Sequence, residues 1–419
     1  MSVKHVIRKS LRSLQQNGLQ NTFKKAQRRL FTKMGVNKVF KRNNAQLHDL
    51  YLKVLDLHKN KEIKGLFIVT SGREFEELYN QRTINLAKYL SDQGFAVLFV
   101  AWQWDDQEKL EKSYQMVYKN IFEVPVYDFI YDIEKLKMVD EITNKTYLTT
   151  FPAKLFYGCI DQLSQSGYKI IYDIMDEWEE FYKTGDAPWY NRGIEEAFVQ
   201  RSDLVTVVSQ PLKDKFYSIK NDIYVIGNGY NAALSGKRDV SLKQKSADQK
   251  IHIGYFGHLT PSWFDWDLIF NLAKNENFFF HFIGHGAPDD ILTKIKGLSN
   301  CEFYGKVHPS ELNKYVEKWH IGIIPFKPSK LSDAVDPIKI YEYLYFGLPT
   351  VSTGIQHIGT YPLVTHCHNE IEVKETILHD YEQLLQSKLP FEDLDAFLAK
   401  TTWDERFREI LTLLTSKTS

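Results

Sequence analysis

The sequence predicts an α/β protein made of two doubly wound domains in tandem, each with a parallel sheet covered by helices. From residue 63 onward, short apolar runs alternate with amphipathic helical stretches, which is typical of strands buried on both faces of a parallel sheet. A polar segment at residues 236–250 interrupts this alternation, and the pattern restarts at residue 251. The length of 419 residues is also more than one domain of roughly 150 residues needs.

The first predicted domain spans residues 49–235. Its first strand ends at Ser71-Gly72, and the amphipathic helix that follows ends at Gly94. The predicted strands of this domain are residues 66–70, 96–101, 122–126, 169–174, 204–209 and 223–227.

The second predicted domain spans residues 251–402 and follows the linker 236–250. A last amphipathic segment, residues 403–419, is expected to return to the first domain. The predicted strands of the second domain are residues 251–257, 278–284, 301–304, 321–326 and 349–353. In both sheets, ligands are expected at the carboxyl ends of the strands.

Composition excludes several classes of protein. With 43% apolar and 14% aromatic residues, the chain has enough material for full cores and is neither disordered nor fibrous. Its three cysteines are far apart and never form a CxxC pair, which excludes a disulfide framework and a zinc ribbon. The apolar runs are too short for a transmembrane helix, and the first 30 residues lack the apolar stretch of a signal peptide. We therefore expect a cytoplasmic protein.

The net charge of zero conceals an uneven distribution. Residues 1–48 contain twelve Lys or Arg and no acid, which leaves 41 basic and 53 acidic residues in the rest of the chain. Apolar residues in this N-terminal arm repeat at the spacing of an amphipathic helix. Such a helix suits the surface of an anionic membrane, with residues 1–42 as the contact. The alternative is two short helices packed on the acidic body. Nucleic acid is not expected, since no binding module follows the arm.

The most informative segment is DAVDPIKIYEYLYFGLPTVST, residues 333–353. Asp336 is predicted to cap a helix, Pro337 suits the first helical position, and Gly347 suits the C-terminal cap. The helix between is apolar nearly all round, and its interior charges, Lys339 and Glu342, lie one turn apart. One possibility is that the two side chains pair with each other and anchor the helix. The other is a ligand site, in which Glu342 accepts hydrogen bonds from vicinal hydroxyls and Lys339 faces a phosphate.

This segment resembles the nucleotide-sugar-binding helix of GT-B glycosyltransferases of the retaining family-four type, in the bacterial polysaccharide-assembly subgroup. Further stretches resemble that family in the same order along the chain. They are residues 172–177 (YDIMDE), 204–209, 225–229, 253–267 (IGYFGHLTPSWFDWD), 282–286 (FIGHG), 304–305 and 309–312.

The resemblance implies two Rossmann-like domains that face a cleft, with a nucleoside-diphosphate-sugar donor bound mainly by the second. Glu342 matches the glutamate that holds the donor ribose. The preceding glutamate of the family motif is Ala334 here, so Asp333 or Asp336 is a candidate replacement. The Arg and Lys that clamp the donor diphosphate in the family are also missing. The other implied donor-site residues are Gly257, His258, Gly284, His285, Lys327, Lys330, Pro337 and Lys339. A metal is not expected, because helix dipoles and basic side chains can neutralise the leaving diphosphate. No cofactor is expected either, since the nucleotide sugar is a co-substrate.

The first domain is expected to bind the acceptor. Asp176 and Glu177 follow a predicted strand directly, so one of them is a candidate for orienting or deprotonating the acceptor hydroxyl. The alternative is that Asp173 and Asp176 cap the following turn. Ser71, Gly72 and Arg73 occupy the first strand-to-helix loop, where acceptor or diphosphate would approach; the alternative there is a plain turn with a solvated arginine. Tryptophans also gather at strand ends and either stack on sugars or fill the core: Trp102, Trp104, Trp263 and Trp266.

The predicted function is transfer of a sugar, with retained configuration, from a nucleotide sugar to a polyprenyl-diphosphate-linked glycan during cell-surface polysaccharide synthesis. The enzyme would lie at the inner face of the cell membrane. Two alternatives remain open at this point. One is a nucleotide-sugar epimerase of similar fold, and the other is a non-catalytic, membrane-docked accessory subunit.

Overall fold

The fold was analysed in a computed structural model that describes residues 44–231 and 248–416. Residues 1–43, 232–247 and 417–419 lie outside the described residues. They include most of the predicted arm (residues 1–48) and most of the predicted linker (residues 236–250). The first described helix begins at Ala45, inside the predicted arm, and buries Leu47, Leu50 and Tyr51 in the core of the first domain. No helix in the described parts of the chain is long and apolar enough to span a bilayer.

The first sheet has eight described strands in the order β3-β4-β2-β1-β5-β6-β7-β8. Neighbouring strands are parallel, except that β3 is antiparallel to β4. The strands are β1 (Leu66–Ser71), β2 (Ala96–Ala101), β3 (Met116–Tyr118), β4 (Ile121–Pro125), β5 (Lys145–Thr149), β6 (Lys169–Ile174), β7 (Leu204–Val207) and β8 (Ile223–Val225).

The second sheet has six described strands, all parallel, in the order β11-β10-β9-β12-β13-β14. They are β9 (Ile251–His258), β10 (Phe278–His285), β11 (Cys301–Gly305), β12 (Ile321–Pro325), β13 (Thr350–Thr353) and β14 (Val364–His366). The two sheets confirm the predicted fold class, a pair of doubly wound α/β domains.

Helices connect the strands in both domains. Those of the first are α1 (Ala45–Lys59), α2 (Arg82–Asp92), α3 (Val126–Tyr131), α4 (Lys154–Tyr157), α5 (Ile160–Gln165), α6 (Trp178–Thr184), α7 (Arg192–Arg201) and α8 (Gln210–Phe216). Those of the second are α9 (Trp266–Leu272), α10 (Asp289–Lys296), α11 (Asn313–Val316), α12 (Lys330–Ala334), α13 (Ile338–Tyr345), α14 (Glu370–Leu385) and α15 (Glu392–Lys400). Three 3₁₀ turns, Ile133–Val139, Pro309–Glu311 and Gln356–Thr360, complete these elements.

The last described helix, α16 (Trp403–Ser416), lies on the first sheet. Strand β1 shows why both faces of that sheet need cover, since all six of its residues are buried. Leu66 and Ile68 point into one core and Phe67 and Val69 into the other, because successive side chains of a strand alternate in direction. Trp403, Phe407 and Ile410 of α16 complete the second of these cores.

The chain passes between the domains at two places that lie side by side. The first crossing comes after β8, at Tyr230. The second comes just before α16, at Thr401 and Thr402. Tyr230 donates its N–H to Thr401 O (3.3 Å), and Trp403 donates its N–H to Tyr230 O (3.1 Å). The two crossings are therefore joined by backbone hydrogen bonds.

A buried ion pair fixes the centre of the first domain. Arg82 is 2% exposed and donates to both carboxylate oxygens of Asp173, which is fully buried (2.7 and 2.9 Å). The same guanidinium donates to the carbonyls of Ile226 and Gly227 and to Asn228 Oδ1. The prediction that Asp173 caps a turn is wrong, because Arg82 and the Thr206 hydroxyl occupy its carboxylate.

Candidate active site

Two glycines lie next to the last residue of adjacent strands, β9 and β10, of the second sheet. Gly257 and Gly284 have φ angles of +137° and +140°, which residues other than glycine rarely adopt. A Cβ on Gly284 would lie 1.8 Å from the Gly257 carbonyl oxygen, and one on Gly257 would lie 2.8 Å from Lys339 Cε. The structure therefore brings these predicted donor-site residues together in one place.

Two histidines follow these glycines, and their rings are 4.7 Å apart. Partial burial, His285 and the charges of Lys339 and Lys306 lower the pKa of His258 to about 4, against the opposing effect of Asp186. Partial burial, Lys306 and Arg73 also lower the pKa of His285. Both rings are therefore neutral at pH 7, so they offer hydrogen bonds there and no positive charge.

Lys339 supplies the charge that the histidines lack. Its Nζ lies over the rings of Tyr255 and Phe326, at 5.3 and 5.5 Å from their centroids. Burial lowers the pKa of Lys339 to about 8, partly offset by Glu342. The ammonium group thus stays mostly protonated at neutral pH beside Gly257.

Glu342, one turn further along α13, accepts a hydrogen bond from Asn80 Nδ2 of the first domain (2.9 Å). Burial raises its pKa to about 7, opposed by the Asn80 hydrogen bond and by Lys339. Within residues 44–231 and 248–416, no ion pair of 4.0 Å or less joins Glu342 to Lys339. The alternative of an ion pair between Lys339 and Glu342 is therefore wrong.

Asn80 was not identified from the sequence, although its amide has a fixed orientation. Its Oδ1 accepts from Trp403 Nε1 (2.6 Å) and from Asn85 Nδ2 (3.0 Å). Since the oxygen is engaged, the amide nitrogen must face Glu342. Only a three-dimensional structure can reveal this contact, because the two residues are 262 positions apart.

Asp336 does not have its predicted role. The cap position of α13 is Pro337 rather than Asp336, and no side chain caps the helix. Asp336 is 3% exposed, and its carboxylate accepts from the Asn228 N–H and from the hydroxyls of Tyr341 and Tyr361. Because these donors use both oxygens, Asp336 joins the domains instead of facing a ligand. The prediction for Gly347 is confirmed by its φ of +66° after the helix.

The segment that carries the altered glutamate position packs on the first domain. Ala334 is buried against the core of that domain, and its carbonyl accepts from the Ser209 hydroxyl (2.6 Å). Asp333 beside it is exposed. Of the two proposed replacements for the missing glutamate, Asp333 alone has a carboxylate open to solvent.

Among the basic residues predicted to contact the diphosphate, Lys327 is already engaged. Its Nζ donates to the Pro261 carbonyl (3.0 Å) and so holds the loop after β9. Lys330 is exposed at the start of α12. Lys306, which the sequence did not single out, follows β11 and lies close enough to His258 and His285 to lower the pKa of both.

At the end of β1, the three predicted residues have different environments: Ser71 is the last residue of the strand, and Gly72 and Arg73 follow it. The Ser71 side chain is buried and its hydroxyl lies 3.3 Å from Thr83 Oγ1, so it faces inward. Gly72 is exposed, with open space where a Cβ would be. Arg73 is exposed, stacks on Tyr79 and acts electrostatically on His285 across the cleft.

Asp176 and Glu177 also differ. Glu177 caps α6 by accepting from the Glu179 N–H (3.3 Å) and pairs with Lys215. The carboxylate of Asp176 has no hydrogen-bond or ionic partner in the part of the chain that the structure describes. Burial and the negative charge of Glu177 raise the pKa of Asp176 to about 7. Asp176 is thus the carboxyl group of this pair that is open to a substrate.

The described residues contain no set of three His, Cys, Asp or Glu side chains arranged to hold a metal ion.

Comparison with known proteins supports the predicted resemblance. Residues 252–386, most of the second domain, match the family described as Glycosyl transferases group 1. A stretch of 166 residues is 27% identical to the Bacillus subtilis (strain 168) protein named "Putative teichuronic acid biosynthesis glycosyltransferase TuaH". That match covers 38% of this chain and 42% of the relative, so it spans less than half the length of the curated protein.

Solved structures share the architecture over nearly the whole described chain. HepE of Anabaena in complex with UDP and glucose has a TM-score of 0.60 and 17% identity, covering 84% of this chain and 100% of that one. The apo lipopolysaccharide outer core galactosyltransferase WaaB has a TM-score of 0.59 and 10% identity, covering 84% and 99%. The chain thus has a GT-B fold and resembles glycosyltransferases of bacterial polysaccharide assembly, as the sequence predicted.

Proposed function

We propose that the chain is a glycosyltransferase of cell-surface polysaccharide synthesis, which moves a sugar from a nucleoside-diphosphate sugar to a glycan acceptor. One observation carries the proposal. Lys339 and Glu342 of a single helix stand beside the ends of strands β9 and β10, without forming an ion pair with each other. The match of residues 252–386 to a glycosyltransferase family supports the same interpretation.

The donor would lie across the carboxyl ends of the second sheet. One carboxylate oxygen of Glu342 accepts a hydrogen bond from Asn80, and the other would accept hydrogen bonds from the ribose hydroxyls. The diphosphate would lie beside Gly257 and Gly284, whose backbones pack so closely against each other and against Lys339 that neither position has room for a Cβ. UDP is a reasonable first candidate for the nucleotide, because HepE was solved with UDP and glucose.

Positive charge for the departing diphosphate would come from Lys339, Lys306 and Arg73. Since His258 and His285 are neutral at pH 7, they would donate or accept single hydrogen bonds. Fixed charges and donors aimed at the leaving group stabilise the charge that develops as the glycosidic bond breaks.

The acceptor hydroxyl would approach Asp176 from the first domain. A carboxyl with a pKa of about 7 accepts and returns a proton near neutral pH. Glu177 would instead have a structural role, because its carboxylate caps the helix α6 that follows Asp176. As parts of the same proposal, the configuration is retained, no metal is required, and the acceptor is a glycan on polyprenyl diphosphate. Residues 1–42 would contact the anionic inner face of the cell membrane.

The donor site is tested by thermal unfolding of the full chain with UDP, GDP, dTDP, ADP or CMP. One nucleotide should raise the melting temperature, because a ligand at 100 times its Kd adds about 2.7 kcal/mol of stability. Glu342→Ala should abolish this increase. Glu276→Ala, at an exposed glutamate of the same domain, is the control and should retain it. No increase with any nucleotide, from a folded sample, would favour the accessory-subunit alternative.

Turnover distinguishes the enzyme classes. A transferase given its nucleotide sugar and a membrane extract that contains acceptor releases nucleoside diphosphate in proportion to the sugar transferred. An epimerase converts the sugar with no net release of nucleoside diphosphate. Nucleotide binding without either product would contradict the transferase assignment.

A further inference from the structure

A continuous row of aromatic rings begins at the carboxyl ends of strands in the first domain and reaches the second domain. Neighbouring ring centroids are 6.1, 5.5, 6.2, 5.9 and 5.8 Å apart along this row. We call it the aromatic row; its members, in order, are Trp104, Trp102, Phe151, Trp178, Phe181 and Trp263.

The row lies at the carboxyl ends of the strands. Trp102 directly follows β2, and Phe151 lies two residues after β5. Trp178 begins α6, two residues after Asp176, the candidate base. At its far end the row reaches the donor side, since Trp263 lies 5.2 Å from the His258 ring. The row thus leads from the rim of the cleft to the proposed site of sugar transfer.

The exposure of these rings separates them from ordinary core residues. Phe151 is 3% exposed and supports the row from below, whereas Trp104 is 61% exposed. Trp102, Trp178, Phe181 and Trp263 are half-buried. Trp266, which the sequence grouped with the other tryptophans, is 3% exposed and belongs to the core of the second domain.

The loop that carries Trp104 is held in place although the indole is exposed. The backbone N–H of Trp104 donates to Glu108 Oε2 (2.6 Å), and Gln103 Nε2 donates to the Glu108 carbonyl. Gln103 in turn accepts from the Tyr127 N–H (3.2 Å). The loop is therefore fixed by these hydrogen bonds, and the exposed indole offers a large, amphipathic surface on which a ligand can stack.

The charge around the exposed end of the row indicates which ligand that is. The Trp104 loop contacts the segment after β1, because the Glu111 N–H donates to Glu74 Oε2 (2.7 Å). Residues 73–77 and 105–112 together contain seven carboxylates and three basic residues, one of which, Lys112, pairs with Glu76 (3.0 Å), so a net negative charge of four remains. Carboxylates beside aromatic faces suit a sugar, whose hydroxyls donate to the acids while its C–H face covers the ring. The same charges repel an anionic chain.

We propose that the aromatic row binds the acceptor as a neutral oligosaccharide, with Trp104 as an outer stacking platform. Trp104 and Trp178 are separated by two further rings, so a single sugar unit cannot cover both. The enzyme therefore extends an existing glycan instead of adding the first sugar to a lipid phosphate. This inference rests on the proposed function, because it places the end of the glycan beside Asp176.

The test uses the full chain, fluorescently labelled, on an array of neutral and uronic-acid-containing oligosaccharides of one to six units. We expect binding to neutral chains of two or more units. Trp104→Ala should weaken that binding about tenfold or more, and Trp104→Phe should retain most of it. The matched control is Tyr217→Ala, at a tyrosine that is 59% exposed and outside the row, and it should bind like the wild type.

The same proteins are tested for stabilisation by UDP, GDP, dTDP, ADP and CMP, so that the two proposals fail separately. Stabilisation by one of these nucleotides without binding to any neutral oligosaccharide would overturn the aromatic-row proposal alone. Equal binding by Trp104→Ala, or binding only to monosaccharides or uronic-acid chains, would overturn it too. Glycan binding that depends on Trp104, without stabilisation by any nucleotide, would support the row and contradict the proposed donor site.

Discussion

Replacing Arg82 with methionine should destabilise the first domain strongly. The change leaves the fully buried carboxylate of Asp173 with the Thr206 hydroxyl as its remaining described partner. It also removes the donor to the carbonyls of Ile226 and Gly227. Breaking a buried pair from one side costs about 3–5 kcal/mol, a large part of a total stability of about 5–15 kcal/mol. For a unit of 150–250 residues this corresponds to a fall in melting temperature of about 10 °C.

The measurement is unfolding in urea followed by tryptophan fluorescence. Hydrogen exchange on peptides from β6 and β7 assigns the loss to the first sheet. Arg192→Met is the matched control, because Arg192 pairs with Glu196 on the surface, where their side chains are 71% and 39% exposed. Its free energy of unfolding should hardly change, since exposed ion pairs contribute little.

A double variant tests the cause. In Arg82→Met/Asp173→Leu no charge is left buried, so more than half of the lost stability should return. A loss below about 1 kcal/mol for Arg82→Met would refute the account. So would a double variant no more stable than Arg82→Met, because it would mean that the unpaired Asp173 carboxylate is not the cause of the lost stability.

Two further predictions concern the candidate site. The pKa of Asp176 is raised from its usual 3.8 to about 7, so the folded state holds this proton more tightly than the unfolded chain and stability falls as pH rises between these values. Asp176→Asn should therefore unfold at a higher temperature than the wild type at pH 8 and lose transferase activity by about 10²-fold or more; lower stability at pH 8 would contradict the raised pKa. Gly284→Ala should abolish nucleotide-induced stabilisation, because its Cβ would lie 1.8 Å from the Gly257 carbonyl, whereas Gly193→Ala, in ordinary contact in α7, should leave it intact. Retained nucleotide binding by Gly284→Ala would place the ligand elsewhere.

Local patterns predicted most strands, because a strand buried on both faces must be apolar throughout. Strand β5 was missed for the same reason. Its sequence, KTYLT, begins with Lys145, yet that residue is 5% exposed and pairs with Asp140 (3.0 Å). The lysine fits inside because a partner five residues away balances its charge. A pattern based on hydropathy alone does not contain that information.

The donor helix was predicted well and its surroundings were not. Lys339 and Glu342 could be identified from the sequence because charged residues are conspicuous in a helix that is otherwise almost entirely apolar. Asn80, which meets Glu342, lies 262 residues earlier and has no local signal. Asp336 looked like a cap because capping depends on near neighbours, whereas its actual partners include Asn228, 108 residues away. Contacts between the domains depend on the tertiary fold and are therefore invisible to local reasoning.

The paired crossings at Tyr230 and Thr402 determine how the cleft can open. The two segments are joined by backbone hydrogen bonds, and we expect them to bend together as one hinge. We therefore expect the sheets to separate along one arc, with the same strand ends facing each other at every opening angle. A substrate that binds to the open form would then contact the same strand ends when the two domains close.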